Sequence, residues 1–598
     1  MAFLGLFPYI TLLIIFSIRK NCSYRENFIY SSIIFASYIY FSTEILSFFN
    51  LLTPTAIILC WIIFFGITTL FAIRINISFP RLNLSPSTSI FGILILIPFT
   101  VGLIYPPNNW DSMTYHLPRI EHWLQNGSLS PYPTSIQRQN HMMPFAEMIL
   151  LHFRALSGND IFYNSLQWLS YFASILNVSL IAQKLGANRL GQFIAGVFCA
   201  TIPMAILQAS STQNDLVVSW WLSSMVALAL LWKKQGSLNV ALMFGAALGL
   251  ACLTKGTAYP IALPFVIYFA IHALHHCRVK FLSAALAAVL AIIFIIPTFS
   301  RNYIDSGSII GGDTVADNIL VPSINNCIVN ILCNFGSNLE IPRGQKIHDK
   351  LTCYSNRVIK TLNINEKEFF RYGAFENRPR FNLHEDMVQN LLHSLLVLLI
   401  LPICFIKYFN FNKTYIACYI SSLILFCSLI GWQPWITRLQ LPLLILFAPI
   451  FGIVAVHKRK ICIFLVALLF ISAIFVNCFN MSRPILNYKG FNPFIAINLD
   501  REKNYFKNKP DLYHQYKETV DKLVDFKNIG LIIGGDSWEY PLWAMMRQRG
   551  WQGNISHITN HEELRHKDAI FMLDIKERYG IQRPKDTNPF VLLSINKW

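Results

Sequence analysis

The sequence predicts a mainly α-helical, polytopic transmembrane bundle of about fourteen helices, followed by a small C-terminal α/β domain. Three observations predict it. The 598 residues are 54% hydrophobic and only 13% charged, where a soluble domain carries roughly 25% charged residues; the mean hydropathy is +0.45. Apolar runs of bilayer-crossing length follow one another, and basic residues return after every second run. Beyond residue 480 the chain turns polar, and helix-like and strand-like patterns alternate.

A span needs roughly 17–25 mostly apolar residues. The runs are 2–18, 27–49, 51–73, 90–106, 161–183, 190–208, 214–232, 238–254, 257–275, 281–299, 388–406, 414–432, 439–456 and 461–479. The first lacks a basic start and a small-residue cleavage site, so it reads as a span and not as a cleaved signal. Arg19, Lys20 and Arg25 follow the first run, and Arg74 and Arg81 the third. Lys184 and Arg189 follow the fifth, Lys233 and Lys234 the seventh, and Arg278 and Lys280 the ninth. Lys407 and Lys413 follow the eleventh, and Lys458, Arg459 and Lys460 the thirteenth. These loops are therefore assigned to the cytoplasm. The net charge of +18 is spent on them, which argues against nucleic acid as a partner.

The outer face then receives loop 107–160, the short loop near 209–215, the turn at Lys255, loop 300–387, the turn 433–438 and the tail 480–598. In the tail, helical patterns at 512–526 and 537–549 alternate with strand-like runs at 529–533, 568–573 and 590–595. Gly534 and Gly535 complete no GxGxxG, so no nucleotide site is assigned. The cysteines show no zinc spacing; Cys327, Cys333 and Cys353 share one outer loop and allow one disulfide. No internal repeat is visible.

Chemistry-bearing residues gather on the outer loops. From Asn109 to Trp123, helical spacing puts Met113, Leu117, Ile120 and Leu124 on one face and Asp111, Tyr115, Arg119 and His122 on the other. This predicts an amphipathic helix in the interface plane, its polar side toward water, with Pro118 kinking it. Asp111 follows a span closely, where a carboxylate gains little unless it is used. Asp215 opens the run at 214–232, where an acid also suits a helix start. Lys255 interrupts the apolar stretch 238–275; it either snorkels or binds an anion at the membrane surface. Arg438, in an aromatic turn with Trp432 and Trp435, opposes the positive-inside bias and offers a fork for phosphate oxygens. His384, Glu385 and Asp386 precede the eleventh run, and Arg301 ends the tenth. Acids and cations thus converge on one membrane face, as a phosphate-bearing lipid headgroup would require. Transport sites lie nearer the midplane, on broken helices.

Asp111 with Tyr115, Thr212 to Asp215, and Leu253-Thr254-Lys255-Gly256 resemble the GT-C superfamily of membrane glycosyltransferases, in particular the relatives of protein O-mannosyltransferases and of the aminoarabinose transferase of lipid A. The resemblance covers roughly residues 90–300. The segments 384–386, 432–438 and 535–541 look like features of a bacterial branch. The chain departs from the pattern in having four runs before the catalytic loop, and in Ser112 where a second acid often stands beside Asp111. The second departure leaves a divalent metal open, and no cofactor is assigned.

The resemblance implies additional helices over 1–89, a catalytic core over 90–300, a large outer loop 301–387, further helices over 388–479 and an outer domain 480–598. It implies a polyprenyl-phosphate-linked sugar as donor, a glycan, glycolipid or protein as acceptor, and inversion at the anomeric carbon. The location implied is the bacterial inner membrane, with the chemistry outside. Asp111 would be the catalytic base. Lys255, Arg438 and Arg301 would hold phosphate, and Tyr115, His116, Arg119, Asp215, His384, Glu385 and Asp386 would shape the sugar or acceptor site. Two readings stand beside it: an O-antigen polymerase or ligase depending on outer-loop arginines, and a flippase of lipid-linked sugars.

Overall fold

In the computed structural model, residues 4–17, 22–73, 86–274, 278–312, 319–339, 345–370, 375, 382–404, 406, 409–486, 500–579, 581–582, 587 and 589–592 are described. Each of the predicted apolar runs coincides with a helix. Among the described residues, six helices are long and apolar enough to cross a membrane: Tyr24–Phe48, Pro54–Ile73, Ser165–Lys184, Asp215–Gln235, Lys280–Ser306 and Arg459–Cys478. Leu6–Phe16, Phe91–Ile104, Arg189–Ala200, Leu238–Thr254, Ala258–Leu274, Leu391–Ile403 and Leu441–Ala455 are shorter apolar helices, and Phe409–Leu429 completes the set. The protein is an integral membrane protein built as a helical bundle.

The run 190–208 is not one helix. It stops at Ala200 and resumes at Pro203–Gln208, because Pro203 drives Ile202 to extended backbone. The Asp215–Gln235 helix lies at the centre and is buried along nearly its whole length. It packs against Ser165–Lys184 and Leu238–Thr254, and Asn177 donates to Ser223 and Ser224 at 2.9 Å across the contact. Gly245 and Gly249 let Leu238–Thr254 approach the Arg278–Ser306 helix closely: a Cβ at Gly245 would lie 2.1 Å from the Ala287 carbonyl oxygen. Small residues serve such contacts where lipid offers no hydrophobic drive. By contrast Leu59, Ile62, Ile63, Leu70 and Phe71 of the Pro54–Ile73 helix are exposed, as a lipid-facing helix requires.

The basic loops after the first and fifth runs meet. Lys184 pairs with Glu26 at 2.6 Å, and Arg25 donates to Ser179, Gln183 and Gln192. Arg19, Lys20, Arg74, Arg81 and Lys407 lie outside the described residues. Loop 300–387 contains helices the sequence reading did not anticipate, Ile324–Asn338 and Gln345–Thr361. Its cysteines are free. Cys327 and Cys333 share one helix, and six residues of helical rise separate their backbones by about 9 Å, too far for a bridge.

The C-terminal domain has a four-stranded sheet: β1 Asn528–Ile533, β2 Asn554–His557, β3 Ala569–Leu573 and, after the hairpin of β4 Glu577–Arg578 and β5 Ile581–Gln582, β6 Phe590–Leu592. The order is β2-β1-β3-β6, with β1 parallel to both neighbours and β3 antiparallel to β6. Helices Tyr513–Leu523 and Tyr540–Gln548 cover it, as their patterns predict. β2 was not anticipated: four residues with three polar positions carry too little alternation to read as a strand. Of the run 590–595, residues 593–595 lie outside the described residues.

Candidate active site

Loop 107–160 begins with a polar anchor. Asn109 accepts from the Ser112 backbone N–H at 2.8 Å and donates to Ser211 and Thr212 at 3.1 and 2.9 Å. It thereby starts a helical turn and ties it to the segment before Asp215. That turn, Ser112–His116, is π-helical and runs into the α-helix Leu117–Asn126. The expected interfacial helix with a wet polar face is therefore corrected. Pro118 sits in the first turn of Leu117–Asn126, where its missing N–H costs nothing. Arg119 and His122 are as buried as Met113 and Ile120, because the second half of the loop and the C-terminal domain cover that face. His116 pairs with Glu147, and Arg119 lies over the Trp123 ring at 4.5 Å and donates to the Met142 carbonyl at 3.0 Å. These two residues brace the loop against itself.

Asp111 projects toward the short helix Ile436–Leu439, which carries Arg438. One Arg438 guanidinium nitrogen lies 2.9 Å from Asp111 and 2.9 Å from Asp386, and its Nε lies 3.6 Å from Asp215. Lys255, in the turn between two apolar helices, donates to Asp215 at 2.5 Å, and Gln208 donates to the other Asp215 oxygen at 3.1 Å. Asn214 is the N-cap of the helix that Asp215 opens. Arg138 stands 3.7 Å from Asp111, pairs with Asp536 and lies over the Tyr115 ring at 4.8 Å. Three acids and three cations therefore meet from five connections between helices.

Besides His116 and Arg119, two more of the expected site residues have partners outside this cluster. Arg301 is held by both Glu44 oxygens at 2.8 Å. Glu385 is sealed against Arg483, with no exposure for either side chain; Arg483 also donates to Asn108 and to Ser210. His384 accepts from the Asp386 backbone N–H at 3.3 Å and bonds Asn508 at 3.1 Å, which sets the backbone that presents Asp386.

The electrostatics follow from this packing. Burial alone would raise the Asp111 carboxyl, but Arg438 first, then Arg138, His116 and Lys255, outweigh it and hold it well below the usual carboxylate range. Burial likewise lowers Lys255 more than Asp215 raises it. Burial opposes the charge on Arg438, yet its three carboxylates raise it above the ordinary arginine value. Both Asp111 oxygens face guanidinium groups, so this arrangement does not fit a divalent ion at Asp111.

The C-terminal domain completes the end of the bundle. Trp110 donates to Asp536 at 2.9 Å, and Lys509 lies 5.2 Å over the Trp110 ring. Asp160 receives Arg501, Tyr505 and Tyr540 at 2.6, 2.7 and 3.0 Å. Glu121 binds Arg154 at 3.1 Å and Arg547. Arg138, Asp536 and Arg483 were not selected from sequence. Arg138 carried the signal that singled out Arg438, an arginine in a loop assigned to the outer face.

Fold and site together define a polytopic integral membrane protein with a buried cation–carboxylate centre at the end capped by an α/β domain. No family model matches the sequence, and no curated protein matches it. Among solved structures the chain is similar to ArnT from Cupriavidus metallidurans bound to undecaprenyl phosphate, at 13% identity and a TM-score of 0.45, over 82% of this chain and 93% of that one. It is similar to the apo state of that ArnT at 11% identity and a TM-score of 0.45, over 82% and 94%.

Proposed function

We propose that the protein is a membrane glycosyltransferase that moves a sugar from a polyprenyl-phosphate-linked donor to an acceptor hydroxyl, with inversion, on the outer face of a bacterial inner membrane. One observation carries the reading: Arg438 joins Asp111, Asp215 and Asp386, with Lys255 bound to Asp215, where apolar helices begin and end. Lipid phosphates lie at that depth, and the residue types are those that a phosphate leaving group and a hydroxyl nucleophile need.

In the proposed step the acceptor oxygen attacks the anomeric carbon, and Asp111 takes its proton. The bond from the anomeric carbon to the phosphate oxygen breaks, and the lipid phosphate leaves with the electron pair. Arg438, Lys255 and Arg138 offset the developing charge. One base on one face gives inversion without a covalent intermediate. The balance of three acids against three cations fits this order of events. Without donor, the cations hold Asp111 as a weak base. A phosphate entering between Arg438 and Lys255 draws both toward itself and restores basicity to Asp111. Asp386 and Asp536 border the same space and are assigned to sugar or acceptor contacts, with the C-terminal domain selecting the acceptor.

The test is turnover of a labelled polyprenyl-phosphate sugar by protein in nanodiscs, read as release of polyprenyl phosphate. Asp111→Asn should bind donor and lose release by at least a hundredfold. Equal turnover in that variant would remove Asp111 from the role of base.

A further inference from the structure

We propose that His122, Glu539 and His557 form a binding site for a divalent transition cation of the zinc type, which clasps the C-terminal domain onto the loop carrying Asp111. The site is separate from the Arg438 cluster. His122 ends a turn of the Leu117–Asn126 helix, Glu539 precedes the Tyr540–Gln548 helix, and His557 closes β2. Residues more than 400 positions apart thus bring two imidazoles and one carboxylate together, all three buried, with one ligand atom from each within 4.8 Å of the others. The His122 Nε2 lies 2.6 Å from one Glu539 oxygen, and the His557 Nε2 lies 3.1 Å from the other. An ion with bonds of about 2.0–2.1 Å to nitrogen and oxygen sets its tetrahedral ligands roughly 3.3 Å apart. The His557 contact at 3.1 Å is close to that spacing, while the His122 contact at 2.6 Å is a hydrogen-bond distance that must open by a few tenths of an ångström to admit the ion. Two imidazoles and a carboxylate are the donor set that zinc favours, with a fourth position left to water.

The surroundings resemble the outer layer of a metal site. Trp543 donates to one Glu539 oxygen at 2.9 Å, and Gln139 donates to the other at 2.7 Å. The His557 Nδ1 faces the Ser135 hydroxyl at 3.2 Å. A ligating histidine characteristically donates its other ring N–H to such a group. In that tautomer the His557 Nε2 lone pair faces a carboxylate oxygen inside the protein, and a cation between them removes the repulsion. The Ser135 backbone N–H also lies 3.4 Å from Nδ1, and Thr134 Oγ1 lies 3.3 Å from Nε2. These contacts describe the other tautomer, in which a proton takes the place of the ion, and metal analysis separates the two.

The clasp reaches the proposed catalytic loop directly. The Glu539 backbone N–H donates to the Met113 carbonyl at 2.9 Å, two residues beyond Asp111. Gln139 links the Glu539 carboxylate to the Thr114 carbonyl at 3.0 Å. A cation at Glu539 therefore holds the π-helical turn in place.

The experiment measures metal in the full chain, purified without a histidine tag from zinc-supplemented cells. Elemental analysis should find about one zinc per chain, retained through gel filtration. His122→Asn and His557→Asn should each lose it. A chelator should lower the melting midpoint of the wild type by several degrees, and added zinc should restore it. A wild type that carries no transition metal, takes up none from added zinc and melts identically with chelator overturns the proposal. If the variants do not fold, the wild-type stoichiometry and chelator shift decide alone. Neither readout depends on the transferase activity, so failure here leaves that reading intact, and the reverse.

Discussion

Replacing Arg438 by glutamine removes the one group shared by three carboxylates. Two contacts are 2.9 Å and one is 3.6 Å. At an effective dielectric of about 20, each 2.9 Å contact is worth roughly 6 kcal/mol of gross attraction, most of which offsets the cost of burying the guanidinium. The measurable loss is set by what stays behind. Asp111, Asp215 and Asp386 would face one another with only Arg138 and Lys255 to balance them. Removing one partner of a buried pair costs about 3–5 kcal/mol, so the melting midpoint in detergent should fall by several degrees. Release of polyprenyl phosphate should fall by about 10²–10³, the usual loss for a charge-stabilising donor. Adding Asp386→Asn to Arg438→Gln should recover stability by removing one repelling charge, while release stays low. An Arg438→Gln protein that melts like the wild type and turns over within threefold of it would refute the reasoning, because Arg438 would then neither balance the acids nor hold phosphate.

Two further outcomes follow from the packing. Arg483→Met should destabilise the protein by about 3–5 kcal/mol, because it strands the fully buried Glu385; the pair Arg483→Met with Glu385→Leu should melt closer to the wild type, with the lost bonds to Asn108 and Ser210 as the remainder. Acid should destabilise the first loop. Burial pushes Glu147 up, but His116 and then Arg119 hold it below its ordinary 4.5, as cations hold Asp111 below its ordinary 3.8. Unfolding therefore takes up protons, so this stability is complete above those ordinary values and drains as pH falls through the lowered ones. The melting midpoint should drop below about pH 4.5, and Glu147→Gln should flatten that decline.

Hydropathy alone was enough to mark out the apolar helices, though not those of loop 300–387, because lipid forces each spanning backbone to satisfy its own hydrogen bonds. The apolar runs coincide with helices, and the one departure, at Thr201 and Ile202, traces to a visible proline. Lys255, Arg438, Asp111, Asp215 and Asp386 were legible for the same reason: a charge stands out against apolar sequence, and here they meet in one cluster. Partners were not legible. Nothing near Glu385 or Arg301 in the sequence names Arg483 or Glu44. Nor does local pattern reveal that the polar face of Leu117–Asn126 is roofed by a domain 400 residues later, so a face read as wet is buried. Amphipathic spacing says that a helix has two faces, and both could pack. Only tertiary contact decided which groups became neighbours, because pairing of buried charges depends on distances of a few ångströms between segments whose separation along the chain carries no information about them.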